Sequence, residues 1–126
     1  MAHYSSASVQ VTNGFPYAAD ITINHAYDTS PSESHTWPNV MPGTTTDPDM
    51  RVMFNLGMFS PGHDTWQAEV TLLAGPNKGH YLSGVAKCTL HKGDVGQILT
   101  FKVDDISGFA AHASINNDVQ GWTTLP

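Results

Sequence analysis

A chain of 126 residues, 40% of them hydrophobic, is long enough for one domain whose core needs no disulfide or metal staple. Only 13% of the residues are charged, the net charge is −6, and the five basic residues (Arg51, Lys78, Lys87, Lys92 and Lys102) form no run. Nucleic acid and anionic lipid both call for a clustered basic face, so neither is an expected partner.

The opening stretch, MAHYSSASVQV, has no basic segment followed by an apolar one, and no apolar run approaches a bilayer span. The expectation is a cytoplasmic chain, although a mature secreted form would read the same way. Residues 1–6 read as a flexible terminus. From Val9 onward the pattern has period two, with no convincing stretch of helical period. SVQVT (8–12) puts Val9 and Val11 on one face. AADITINHAY (18–27) aligns Ala19, Ile21, Ile23, His25 and Tyr27 against Asp20, Thr22 and Asn24.

No alternation is visible over residues 28–49, which read as one long loop, a length uncommon unless functional or mobile. MRVMFNL (50–56) resumes the pattern, and TWQAEVTLL (65–73) sets Trp66, Ala68, Val70 and Leu72 against Thr65, Gln67, Glu69 and Thr71. YLSGVAKCTL (81–90), ILTFKV (98–103) and FAAHASI (109–115) follow, with Leu82 and Leu90 assigned to one inward face. Turn chemistry separates the runs: NGFP at 13, SPGHD at 60, GPNKG at 75, HKGDVG at 91 and DDISG at 104. The fold class expected is all-β: a single-domain antiparallel β-sandwich of seven to eight strands over residues 1–126, with a barrel as the alternative.

Four stretches in order, ITINHAY (21–27), TWPNVMPGTTT (36–46), FNLGMFSPGHDTWQAEVTLLAGPNKGHY (54–81) and KCTLHKGDVGQILTFKV (87–103), resemble a small all-β family. It is named for up-regulation in long-lived nematode mutants of an insulin-like receptor. The resemblance runs from about Val9 to Val103. It implies a compact β-sandwich without an established catalytic activity, so no catalytic residue is carried over. The family pattern often includes a second cysteine near the C-terminus. The matching stretch here, HASINNDVQG, has none, so Cys88 is expected as a buried free thiol.

Seven histidines invite a metal reading, but they form no HxH or HxxxH pair, and a strand site needs ligands two residues apart. His25, on an apolar face, reads as a hydrogen-bonded core histidine. Asp47, Asp49, Asp104 and Asp105 are the weak calcium candidates, with solubilising turn residues as the plainer account. No G-x-S-x-G elbow is present and Cys88 points inward from a strand, so no enzyme and no cofactor are expected.

Trp37 decides the remaining expectation. An exposed indole among Asn, Thr and His is how many sugar sites are built; the commoner fate of such a residue is a plug over one end of the core. The candidate ligand-binding set is His35, Trp37, Asn39, His63 and Asp64. The function expected is non-catalytic, lectin-like recognition of a glycan or small polar ligand through loops at one end of the sandwich. The alternatives are a defence protein that engages neutral lipid, or a stress-induced protein without a small ligand. Sheet edges leave a homodimer open.

Overall fold

The computed structural model describes residues 4–27, 32–55, 64–83, 86–87, 90, 94–105, 110–114 and 123–125. They form ten strands and no α-helix: β1 (Tyr4–Asn13), β2 (Ala19–Tyr27), β3 (Glu33–Val40), β4 (Met50–Asn55), β5 (Asp64–Leu72), β6 (Gly79–Leu82), β7 (Ala86–Lys87), β8 (Ile98–Asp105), β9 (Ala110–Ser114) and β10 (Thr123–Leu125). One sheet has the order β10-β9-β8-β1-β4. The other has the order β3-β2-β5-β6, with β7 also pairing β5. The architecture is an all-β sandwich.

Alternation fills the space between the sheets. Val9 and Val11 of β1, Ile21 and Ile23 of β2, Val52 and Phe54 of β4, Trp66 and Val70 of β5, and Phe101 and Val103 of β8 are all buried. Full burial of side chains this large stabilises by about 1.5–3 kcal/mol each, before the entropy of ordering the chain is set against it. The outward residues of β5, Thr65, Gln67, Glu69 and Thr71, are half-buried on the far side of their sheet.

Five features depart from the sequence reading. Residues 28–49 are not one long loop, because β3 occupies Glu33–Val40. Its inward row, Glu33, His35 and Trp37, is only partly apolar, and Pro38 disguises it further. Proline is tolerated here because β3 lies at a sheet edge, where one side of the backbone has no ladder to join. The terminus is ordered from Tyr4, with Tyr4, Ser5 and Ser6 paired to Asn55, Phe54 and Met53. The sandwich is not wholly antiparallel: β1 and β8 run parallel from the Ser8–Ile98 pair to the Asn13–Val103 pair. Strands so far apart in sequence are not bound by hairpin geometry. Among the described residues β3 and β10 are strands that alternation alone does not mark, and 81–90 divides. At that division the Ser83 amide donates to Ala68 O (2.9 Å) and its hydroxyl accepts from the Ala68 amide (2.8 Å), interrupting the strand phase. Leu82 therefore faces solvent at 53% exposure while Leu90 is buried, and the two do not share an inward face.

The segment after β3 continues the ladder on β1. Thr46 exchanges bonds with Val11, Thr45 bridges Thr12, and the Asn13 amide donates to Thr44 O at 3.0 Å. Asn13 is fully buried and ties three pieces together. Its Nδ2 donates to Tyr17 O (2.8 Å) and Val40 O (2.9 Å), and its Oδ1 accepts from the Phe15 amide (2.8 Å). Next to it, Gly14 lies so close to β8 that a Cβ there would stand 2.7 Å from Asp104 Cβ. The NG pair thus serves close packing rather than a two-residue hairpin.

Candidate functional site

Two features of the second sheet carry polar chemistry: a buried charged network at one end, and a small pocket on the outer face beside it. His25 anchors the network. Its Nε2 lies 2.6 Å from Asp64 Oδ1 and its Nδ1 lies 2.8 Å from Glu33 Oε1. The His25 and Asp64 side chains are completely buried, while Glu33 keeps 29% of its side chain exposed. A neutral imidazole has one N–H and one acceptor nitrogen, so bonding to both acids requires either two N–H donors on the ring or one acid that donates its own proton to it. The Trp66 ring lies 4.3 Å from the His25 ring and passes the packing on to Phe101 at 5.1 Å.

Both carboxylates have further work. Asp64 Oδ2 accepts from the Leu90 amide at 2.8 Å, and Glu33 Oε1 accepts from the Met53 amide at 3.2 Å. Met53 belongs to β4, the edge of the opposite sheet, so Glu33 joins the sheets through a side chain where no ladder exists. Because both imidazole nitrogens are engaged and the ring is shut off from solvent, His25 has no free valence with which to act as a general base. The arrangement is suited to holding two sheets in one relationship.

The pocket opens where β2 and β5 run on past the start of β3. It has a volume of about 140 Å³, and Asn24, Ala26, Ser32, Thr65 and Gln67 line it over a floor formed by His25 and Trp66. Asn24 and Gln67 are directly opposed in the β2–β5 register, as are Ala26 and Thr65. Both amides are held. Asn24 Nδ2 donates to Glu69 Oε2 (2.7 Å), Asn24 Oδ1 accepts from Ser34 Oγ (2.8 Å), and Gln67 Nε2 donates to Ser83 O (3.1 Å). A chain of polar contacts continues across the face, with His80 Nε2 3.3 Å from Glu69 Oε1 and His80 Nδ1 2.9 Å from Thr71 Oγ1. The result is a set of pre-oriented donors and acceptors beside a concavity.

The structure does not gather the residues picked from sequence. Trp37 is 4% exposed and donates Nε1–H to Asp47 O at 3.1 Å, which makes it the plug of the second reading rather than a stacking platform. His35 packs edge-on against it with ring centroids 4.5 Å apart. Asn39 is a bulge residue with φ of 50°, its amide donating to Asp20 Oδ1 at 2.8 Å. That bulge, marked by a register shift between Ala19 and Ile21, turns Val40 rather than Asn39 into the core. Asp64 belongs to the buried network. Since Trp37 pairs with Ile21 and Asp64 with Tyr27, the two lie at opposite ends of β2, about 20 Å apart at roughly 3.3 Å per residue. His63, Cys88 and Trp122 lie outside the described residues.

The acidic candidates are dispersed. Asp47, Asp49 and Asp104 are exposed and Asp105 closes β8 opposite Ala110. Among the described residues no three His, Cys, Asp or Glu side chains come together as a metal site. No described helix is long and apolar enough to cross a membrane.

Asn24 and Gln67 are missing from the sequence-derived set although the alternation puts each on the outward face of its strand. Their juxtaposition depends on the register between β2 and β5, which neither strand encodes alone. No curated protein matches the chain. A family model does, over residues 4–92, more than half of the chain and starting at the first residue of β1. The chain belongs to the family described as Up-Regulated in long-lived daf-2, a description that names a condition of expression rather than a chemistry.

Proposed function

We propose that the protein is a non-catalytic binding module that recognises a glycan or small polar ligand, and that its site is the outer face of the β3-β2-β5-β6 sheet at the Asn24–Gln67 pocket. The observation that carries this reading is the pre-orientation of Asn24. Glu69 and Ser34 fix both ends of its amide, so the group meets a ligand without first being ordered. The aromatic platform of the sequence reading is given up, because Trp37 is buried. The site moves from the end loops to a sheet face rich in Thr, Asn, Gln and Ser. A non-catalytic role is supported by the engagement of both His25 nitrogens.

The test is a glycan array followed by calorimetry on the hits. Asn24→Ala combined with Gln67→Ala removes binding and leaves the melting temperature near that of the parent, since both side chains are only half-buried on the outer face. A parent protein that binds no sugar or other small polar compound in either assay would overturn the proposal.

A further inference from the structure

The geometry points to an acetamido group as the moiety the pocket accepts, and so to an N-acetylated amino sugar as the ligand; the inference rests on the binding reading above. Size is the first ground. At about 140 Å³ the pocket is close to the roughly 150 Å³ cavity that holds benzene, so it takes a substituent of a few heavy atoms and leaves the sugar ring outside. Its walls are mostly carbon, with few polar atoms, and Ala26 contributes a methyl. A bare hydroxyl would leave that carbon surface uncovered, whereas an acetyl methyl covers it.

Hydrogen-bond complementarity is the second ground. Asn24 Nδ2 gives one hydrogen to Glu69 and has a second, and Gln67 spends its amide on Ser83 O while its Oε1 keeps acceptor capacity. The two residues are directly opposed in the register, so a spare donor and a spare acceptor stand on neighbouring strands of one face. An acetamido group presents the reciprocal set, a carbonyl oxygen and an N–H on opposite edges of one plane. Among the described residues no Lys or Arg lines the pocket, so a carboxylate would enter without a counter-charge.

An acetylated lysine side chain carries the same amide. The sugar is favoured by what surrounds the pocket: Ser34, Glu69, Thr71 and His80 make a hydroxyl-compatible face on which a pyranose could rest. An aliphatic lysine stem would find no apolar groove in that row.

The experiment titrates the full chain with N-acetylglucosamine and N-acetylgalactosamine, with glucose, glucosamine and an acetyl-lysine peptide as the other arms. Binding is read by calorimetry and by saturation-transfer NMR. The expected result is that both N-acetylated sugars bind about tenfold more tightly than glucose or glucosamine, with the strongest saturation on the acetyl methyl. Ala26→Leu fills the pocket and abolishes the difference. Thr65→Leu, on the opposite wall, gives a second variant should the first fold poorly. Equal binding of glucose and N-acetylglucosamine overturns this inference and leaves the broader reading standing. So does preference for the peptide, or binding unchanged in both variants. Absence of binding to any compound removes both.

Discussion

His25 and Asp64 face one another 2.6 Å apart, diagonally across β2 and β5, with neither side chain reaching solvent. Such a pair adds little net stability relative to a well-packed apolar alternative, but removing one member strands the other. Asp64→Ala is expected to cost about 3–5 kcal/mol, since it leaves both a buried imidazole and the Leu90 amide without their acceptor. Glu33→Ala should cost about 1 kcal/mol, because water can reach that carboxylate's place. Urea melts of the two variants check the order; equal, mild losses would remove the network from the account of how the sheets are held.

Trp37 supplies a second expectation, opposite to that of a ligand platform. Trp37→Ala should lower stability by about 3–5 kcal/mol through the cavity it opens between β3 and the 41–49 segment. Trp37→Phe keeps most of the packing and loses only the donation to Asp47 O, a cost of about 1 kcal/mol. Sugar affinity measured on the folded phenylalanine variant should match the parent. A large loss of affinity at unchanged melting temperature would return Trp37 to the binding site.

Asn39 gives a test of the backbone. Its φ of 50° is one that Asn and Gly adopt readily and β-branched residues resist. Asn39→Gly should therefore be within about 0.5 kcal/mol of the parent, and Asn39→Val should lose about 1–3 kcal/mol, with Val40 drawn out of the core. Thermal melts separate the two. Neither substitution should alter ligand affinity, since Asn39 lies at the far end of the sheet from the pocket.

What was legible in the sequence was whatever a single strand declares by itself. Trp66, Val70 and Phe101 face inward as their alternation required, and His25 is the hydrogen-bonded core histidine that its apolar face implied. The failures share one cause. β3 was hidden because its inward row uses Glu33 and His35 as well as Trp37. Those polar residues are tolerated there because Glu33 meets His25 on β2 and Met53 on the opposite sheet, while His35 packs on Trp37 two places along its own strand. The parallel pairing of β1 with β8, the Ser83 irregularity and the Asn24–Gln67 pair are likewise properties of two segments together. A one-dimensional pattern marks the face on which a residue stands; its neighbours come from register, and register between distant strands is set by the folded whole.

Asn13 tests that last step directly, because one side chain ties the end of β1 and the nearby entry to β2 to Val40, 27 residues further along the chain. Asn13→Asp keeps its shape and reverses its chemistry: the carbonyls of Tyr17 and Val40 would face an oxygen in place of the amide they now accept from. With two acceptors unpaired at about 1–3 kcal/mol each, the expected loss is about 2–6 kcal/mol near neutral pH. Only the neutral carboxyl can donate, and it is favoured in the folded protein over the carboxylate. The folded state of the variant therefore binds more protons than the unfolded state, and its stability relative to the parent falls as pH rises through the carboxyl range. Urea midpoints for parent and variant at a series of pH values check both the size and the sign. A variant whose deficit is the same from acid to neutral pH would mean that the amide is not the tie between β1, the β2 entry and the end of β3.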